Sequence, residues 1–398
     1  MTYNGIINIS MSKQNKYEVI IVGAGPAGLS AGKMLADAGI KTLILEKTKK
    51  GASKNFFSGI VSEDPLKEIF SNFYDSSNGK MLAPFERFVD QYRAYILQED
   101  SFTSFNVQNN KQNSYIVLRE PFNSWLIKET QKAGAEIITE ITARELIIND
   151  RKISGVKTDS EDFSANVVII GEGVNSVLTK SSGLRTGELK SNEIFTFVEE
   201  KISLPPEVIE ERFNLSPFNG ISAKLFTQAM LKMPSIGYIH TNHNSISIGI
   251  GVLFSELISR GINPNECLEK LKEHSCIKPL IANGATKNYY SYILPVPSFE
   301  KINDKSLKLF SNGCLLVGGT ALITDIFNWD ISTLAILSGK SAAQTVIKAK
   351  ELNDYSERTL SHYLQLIKKD VIIETSHTMS DLNLDTLNDF NTSVLQEK

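Results

Sequence analysis

IIVGAGPAGLSAG, residues 20–32, decides the fold. It holds Gly23-x-Gly25-x-x-Gly28 directly after YEVIIV (17–22), an apolar, β-branched run that reads as a buried strand. Pro26–Ala38 is rich in Ala, Leu and Met and reads as a helix; KTLILE (41–46) reads as a second strand. Strand, helix and strand in about thirty residues is the least a parallel crossover needs. A Gly-x-Gly-x-x-Gly run alone is a weak signal. With a strand before it, a helix after it and Glu46 closing the next strand, it has the full setting of a dinucleotide fingerprint. Gly23 allows the tight turn. Gly25 lets backbone approach a pyrophosphate, and Gly28 lets helix and strand pack closely. The helix N-terminus offers free N–H groups and a partial positive charge to phosphates. Glu46 suits ribose hydroxyls and repels a 2′-phosphate. Pro26 and Ala27 within the turn, and Lys47 beside Glu46, complete this part of the candidate set.

Outward from this unit the α/β pattern continues. SYIVLRE (114–120) is strand-like, and a helix is expected to begin after Pro121 and end near Gly134. EIITEITARELIIND and KISGVKTD look like paired strands with a turn near Asn149–Arg151, and ANVVIIG (165–171) like another buried strand. Residues 192–204, 236–252 and 287–294 alternate apolar and polar residues, as half-exposed antiparallel strands do. A hairpin turn is expected around Asn242–Asn244. CLLVGG (314–319) reads as a core strand, Thr333–Lys350 as a long helix, Ser356–Lys369 as a last helix, and the tail from Ser376 as frayed.

The chain's 398 residues suffice for a large core without disulfides, and only three cysteines occur, Cys267, Cys276 and Cys314. Three are too few for a disulfide scaffold or for a cluster with four cysteine ligands, and they fit a reduced, cytoplasmic setting. Forty-two Lys and Arg against forty-five Asp and Glu leave a net charge of −3, which gives no basic field for nucleic acid. No metal is expected: His240 and His243 lack further ligands and read as solvated or strand-end imidazoles. MTYNGIINIS at the start has no basic n-region, so no targeting segment is expected. No window reaches about 18 uncharged apolar residues, so no transmembrane span is expected, while a peripheral membrane contact stays open. Residues 223–233, with Met230 and Met233, read as a buried helix face before an exposed patch, and Glu207, Glu210 and Glu211 as a helix surface.

The fingerprint does not separate FAD from NAD. Three segments point toward FAD. GASKNFFSGIV (51–61), with Lys54, Asn55, Ser58 and Gly59, suits a loop beside a flavin ring, although spacing alone equally allows a surface turn. Arg119 before the helix of Trp125 suits cofactor phosphates or the ribityl chain, and equally a surface ion pair. ANVVIIGEGVNS (165–176), with Gly173, would return the chain to the cofactor, and equally suits an ordinary core strand with a glycine turn.

From about Tyr17 to Leu366 the chain resembles the FixC-type flavoproteins, relatives of electron-transfer-flavoprotein:quinone oxidoreductases and of geranylgeranyl reductases. The resemblance lies in GAGPAGLSAG, SKNFFSG, Arg119 with the Trp125 helix, AGAE (133–136), GVNS (173–176), IEERFNL (209–215), GYIHTNHNSISIGIGV (237–252), LPVPS, LLVGG and SGKSAA (338–343). It implies an α/β fold: a Rossmann-like FAD-binding domain of the p-hydroxybenzoate-hydroxylase/glutathione-reductase type, an inserted, mostly antiparallel substrate domain, and C-terminal helices. The expected division is 14–78 plus 112–182 plus 305–350 for FAD, 79–111 plus 183–304 for the cap, and 351–398 for a terminal helix and tail. The resemblance places FAD across Gly23–Gly28 with its ribose at Glu46, and the flavin near Lys54–Gly59 and the loop after Val317. Lys54, Asn55 and Arg119 would tune or hold it.

Two departures stand out. Glu172-Gly173 replaces the family's Asp-Gly. Gly318-Gly319-Thr320 lacks the family's Asp, and Asp325 is too far along to substitute without a shifted loop. The second departure is expected to weaken or alter FAD binding. The leading expectation is an FAD-dependent oxidoreductase exchanging electrons with a flavoprotein, a small ferredoxin or a quinone. A tailoring enzyme on a small or prenyl-like molecule is the alternative, and a non-enzymatic relative a third. Halogenation is disfavoured, because Trp125 and Trp329 are the only tryptophans and no Trp-x-Trp-x-Ile-Pro run exists.

Overall fold

A computed structural model describes residues 16–49, 57–75, 77, 79–108, 113–296, 307–324 and 330–372. Val19–Val22 and Val167–Ile170 are apolar at every position and buried on both faces, as central strands of a parallel sheet must be. They lie side by side in a six-stranded sheet. Its order is Phe310–Ser311, Cys314–Leu316, Val167–Ile170, Val19–Val22, Thr42–Glu46 and Glu136–Thr139. All neighbours run parallel except the short Phe310–Ser311 strand. Glu136–Thr139 therefore belongs here. Only Ala143–Asn149 pairs with Lys152–Thr158, through the expected turn.

The helix Pro26–Asp37 is held against this sheet on one side and the long helix Ile331–Glu351 on the other. The approach is very close: a Cβ at Gly339 would lie 2.2 Å from the Ala27 carbonyl oxygen. A third helix, Arg119–Lys132, joins through Thr130 Oγ1, which donates to the Leu29 carbonyl at 3.2 Å. It begins two residues before Pro121, so Arg119 opens a helix and does not end a strand. Pro121 falls in the first turn, where no N–H is required. The expected last helix is broken into Glu357–Leu360, His362–Ile367 and a π-turn over Lys368–Ile372.

The larger sheet has nine strands. Along its path they are Ala285–Pro295, Ile194–Ser203, Ser245–Leu253, Ser235–Thr241, Asn219–Phe226, Phe85–Leu97, Ser114–Leu118 and Ser58–Ser62, with Phe102–Gln108 beside Phe85–Leu97. Ser58–Ser62 is thus a buried strand, and only the residues before it can form the expected loop. The alternation at 236–252 has a different cause from the one expected. Ser235–Thr241 and Ser245–Leu253 are buried almost throughout, not half exposed. Ile239, Ile246, Ile248 and Ile250 pack with Leu268 and Leu271 of the helix Pro264–Glu273 on one face. Tyr238, His240, Ser245 and Ser247 are buried too. The polar half of the alternation is an interior polar layer.

Met230 and Met233 are core residues, but their segment is the strand Asn219–Phe226 and a short helix, Gln228–Leu231. Among the described residues no helix is long and apolar enough to cross a membrane, and no three His, Cys, Asp or Glu side chains gather as a metal site.

The hairpin at 242–244 is pinned by Arg87, which is 2% exposed. Its Nε donates to the Asn242 carbonyl at 2.9 Å and Nη2 to His243 O at 3.1 Å. Nη1 reaches Asn219 O at 3.0 Å and pairs with Glu210 at 2.9 Å. Glu210 is therefore an ion-pair partner, not only helix surface. Arg87→Ala should cost roughly 3 kcal/mol, since it leaves a carboxylate and three carbonyls short of a donor. Urea unfolding should show a lower midpoint at unchanged slope; an unshifted midpoint would refute the assignment.

Candidate functional site

Three glycine turns meet at the C-terminal ends of adjacent parallel strands, the place where open α/β sheets hold ligands. The first is the fingerprint, and its glycines differ in purpose. Gly23 has φ +104°, and a Cβ there would lie 2.3 Å from Gly171 O. A Cβ at Gly28 would lie 2.1 Å from Gly23 O. Both are small because protein fills the space. Gly25 has ordinary backbone angles, and a Cβ there meets no described atom within 4 Å. Steric crowding within the described fold therefore does not require glycine here. Gly25 is also the N-cap of Pro26–Asp37, a helix with no side-chain cap and no acid in its first turn. Its leading N–H groups face that open ground with a partial positive charge.

Asn123 and Glu46 hold the turn in shape. Asn123 Nδ2 donates to Ala24 O at 2.9 Å. Glu46, 6% exposed, accepts from Ala24 N at 2.9 Å and from Thr48 N and Oγ1 at 2.8 and 2.7 Å. Its carboxylate is thereby fixed beside the turn, while Lys47 points to solvent.

The second and third turns are stapled together. Gly173 N donates to Thr320 Oγ1 at 2.9 Å, and Thr320 Oγ1 donates to Gly173 O at 3.2 Å. Gly318, φ +58°, donates its N–H to Ser338 Oγ at 2.9 Å and sits against Ala27. At Gly319, where the resemblance leads one to expect an Asp, a Cβ would lie 3.2 Å from Val174 Cγ2 and 3.3 Å from Val174 N, so the 173–174 loop lies close against that position. Glu172, the other departure, caps the helix Val177–Ser181, accepting from Leu178 N at 2.9 Å and Thr179 N at 2.8 Å.

Arg119 is buried, and the ion pair its position allowed is not found among the described residues. Its Nη1 donates to Ser332 Oγ at 2.8 Å, the guanidinium lies 5.8 Å from the Phe57 ring centre, and Nε has no described partner. Burial alone pushes it down to about 10. An interior cation without a carboxylate calls for an anion from elsewhere. Ser332 lies in the first turn of Ile331–Glu351. The same turn holds Ser62, through Thr333 Oγ1 and Asp330 at 2.8 Å each, so the larger sheet's edge is tied to the cofactor side.

At that edge lies a cluster that sequence reasoning missed. Ser58 N donates to both Glu199 oxygens, at 3.1 and 3.2 Å. Tyr238 donates to Glu199 and lies 3.0 Å from the Tyr292 hydroxyl. Tyr292 stacks between Phe57 and Phe197, at 4.4 and 5.2 Å. His240, read as a solvated or strand-end imidazole, does lie at the end of its strand but is fully buried: Nδ1 meets Ser58 Oγ at 2.7 Å and Nε2 has no described partner. Burial pushes His240 down to about 3, so the ring stays neutral. Burial pushes Glu199 up to about 7, against the pull of Tyr238, Ser247, Ser58 N and Lys201. The signal in the sequence was Tyr238, His240, Ser245 and Ser247 at every second position, the period read as solvent exposure. Gly23, Gly25, Pro26, Ala27, Gly28, Glu46, Gly173, Gly318 and Gly319 come together. Arg119, Ser58 and Gly59 lie at the sheet edge beside them. Lys54, Asn55 and Asp325 fall outside the described residues.

A family model described as an FAD binding domain matches residues 16–66. Protein FixC of Azorhizobium caulinodans is 31% identical over 376 residues, 92% of this chain and 84% of the relative. Protein FixC of Escherichia coli K12 is 31% identical over 356 residues, 88% of this chain and 81% of the relative. The chain belongs to the FixC family. It is an FAD-dependent oxidoreductase. In this FixC-family chain the open position at Gly25, the uncapped helix and the unpaired Arg119 all fit the FAD diphosphate. Its fold is also that of a geranylgeranyl bacteriochlorophyll reductase-like protein from Thermoplasma acidophilum, with TM-score 0.72, 23% identity, and 89% and 84% of the two chains covered. A flavin-dependent brominase shares the fold at TM-score 0.68 and 16% identity, over 93% and 92% of the chains.

Gly25→Ala should leave the thermal midpoint nearly unchanged, because a glycine or alanine N-cap differs by about 1 kcal/mol or less. It should weaken FAD at least about tenfold, about 1.4 kcal/mol, in a flavin fluorescence titration. Gly28→Val should fail to fold, since its side chain meets backbone; equal behaviour of the two variants would refute the division of roles.

Glu199 also sets a pH dependence. The folded carboxyl titrates at about 7 against an ordinary 4.5, so between these values the folded state holds the extra proton. Its contribution is present below pH 4.5 and lost as pH rises through 7, by roughly 3 kcal/mol at most. Glu199→Gln should flatten this fall in urea midpoints measured on either side of the window.

Proposed function

We propose that this protein carries electrons through bound FAD between a soluble carrier protein, either an electron-transfer flavoprotein or a small ferredoxin, and an acceptor such as a quinone. The observation that supports this most is the relation to FixC along nearly the whole chain, joined to its cysteine content. Cys267 and Cys314 are buried in separate elements and Cys276 is half buried, so an iron–sulfur step would need cysteine ligands other than these.

Bound FAD supplies the redox chemistry, both two-electron and one-electron. The chain's residues do the rest. The first-turn N–H groups at Gly25–Gly28 and the Arg119 guanidinium would hold the diphosphate, and Glu46 the adenosine ribose. Gly173, Gly318 and Gly319 would line the approach with backbone, and Ser58 and Gly59 would face the flavin, with Lys54 and Asn55 before them. Segments 14–78, 112–182 and 305–350 would form the FAD unit, 79–111 and 183–304 the cap. The strand Ser114–Leu118 would then be shared, since it pairs with the cap strand Phe85–Leu97, and Ser58–Ser62 follows it as the next strand of the same sheet. Contact with a quinone would be peripheral to a membrane, with the protein otherwise cytoplasmic.

A second reading, reduction or oxygenation of a small or prenyl-like metabolite, is favoured by the Glu199–Tyr238–Tyr292 cluster, because proton-transferring side chains serve bond-making chemistry. The two separate in one experiment. The FAD-loaded protein is mixed anaerobically with reduced ferredoxin, then with a quinone, and the visible flavin band is followed. Bleaching by the first and recovery with the second is expected. A flavin that neither carrier reduces nor quinone reoxidises would overturn the electron-transfer reading in favour of the metabolite enzyme.

A further inference from the structure

The buried cluster around Glu199 joins Ser58–Ser62 to the strands Ile194–Ser203, Ser235–Thr241 and Ala285–Pro295 of the larger sheet, a place that a hydrophobic patch would fill at less cost. Glu199 sits in the strand Ile194–Ser203 and is 0% exposed, with no arginine or lysine in ion-pair contact among the described residues. Its neighbour Glu200, on the other face, does have such a partner, Lys272 at 2.7 Å. Burying a carboxyl without a counter-ion is costly, and evolution of a glutamine or an apolar residue there would remove the cost. The groups around it are of one kind. Ser58 N and Tyr238 OH donate to its carboxylate, and Tyr238 passes on to Tyr292 at 3.0 Å. Hydroxyls can turn, so the same set of partners can serve the charged and the neutral carboxyl.

The groups facing it from each packed element are few. On its own strand Lys201 lies two residues along, half buried. Ser235–Thr241 supplies Tyr238 and neutral His240, Ser245–Leu253 supplies Ser247, and Ala285–Pro295 supplies Tyr290 and Tyr292. Glu120, at the start of the Arg119–Lys132 helix, acts on Tyr290 and Lys201, as Glu86 and Lys287 act on Lys201. None of them pairs with the Glu199 carboxylate as a fixed counter-charge.

We propose that Glu199, with the hydroxyls of Tyr238 and Tyr292, is an internal proton site that takes up one proton when the adjoining flavin is reduced and releases it on reoxidation. The step rests on the placing of Ser58 and Gly59 beside the flavin. Its balance is simple. The electron donor is the carrier protein named above, and its electrons go to the cofactor. A solvent hydronium ion gives up a proton, its O–H bond breaking as one O–H bond forms on a Glu199 oxygen, and the reverse returns the proton to water on reoxidation; the carboxyl is neither oxidised nor reduced. The cause is electrostatic: negative charge arriving near a buried carboxylate disfavours its charged form. Glu199 already titrates near neutrality, so a modest added charge changes its occupancy. By linkage, protonated Glu199 must in turn favour the reduced flavin.

The test uses the FAD-loaded protein, photoreduced without any substrate. A pH-indicator dye counts protons taken up per electron pair, and infrared difference spectra follow the carboxylic acid band. At pH 7, where Glu199 is already about half protonated before reduction, the wild type should exceed the uptake of free FAD by at most about half a proton, rising toward about one near pH 8, with an acid band that grows on reduction. Glu199→Gln should lose both the band and the excess while keeping its visible flavin band. Tyr238→Phe removes a donor to the charged carboxyl, so it should keep the excess but move it to higher pH. Should Glu199→Gln not fold, the wild-type band and the Tyr238→Phe shift still decide. A band that titrates at one pH in both redox states would overturn the coupling and leave FAD binding intact. A protein with no visible flavin band would overturn the cofactor assignment as well.

Discussion

The backbone crossing at the start of the chain governs the rest. Gly28 lies against the carbonyl of Gly23, Gly23 against that of Gly171, and Gly339 of the long helix against that of Ala27. At each of these points one methyl group would have to occupy space already held by a peptide. The helix Pro26–Asp37 is therefore gripped between sheet and helix at a separation that only glycine permits. Its N-terminus is aimed along the sheet toward the turns at Gly173 and Gly318. Thr320 and Ser338 then lock those turns by hydrogen bonds that span 147 and 20 residues of sequence.

This tight frame contrasts with the larger sheet, whose inner layer is polar. Such a layer is expensive in water-free surroundings, and each member has to be satisfied by another. Glu199, Tyr238, Tyr292, Ser58 and His240 largely achieve this among themselves, and Arg119 only in part. Two of the buried polar atoms without a described partner, Arg119 Nε and His240 Nε2, lie beside Phe57 and Ser58 at the edge of the larger sheet. An enzyme that must hold an anionic cofactor and move charge near it needs groups left in this state. A protein built only for stability would have replaced them with aliphatic side chains.

The departures from the family pattern become intelligible in the same frame. Glu172 spends its carboxylate on a helix N-terminus, a use that one more methylene allows. Gly319 stands where a side chain would press on Val174, and Thr320 makes the polar contact to the neighbouring turn. The two loops meet there without a gap.

What the chain alone determined was the first unit and its suitability for a dinucleotide. Strand, glycine turn, helix and acid are local features, written within thirty residues by steric demands that no distant contact can change. The hairpin at 242–244 and the long C-terminal helix were legible for the same reason. Only the tertiary structure decided what the alternating segments meant. A period of two says that alternate side chains face opposite ways, but not whether the polar ones meet water or each other. The order of nine strands, set by pairings between residues as distant as Ser58 and Leu118 or Ile194 and Pro295, turned Tyr238, His240 and Glu199 inward. Likewise, Arg119 in sequence suits a cofactor or a surface ion pair equally; its lack of a counter-charge appears only once Phe57 and Ser332 have been folded around it.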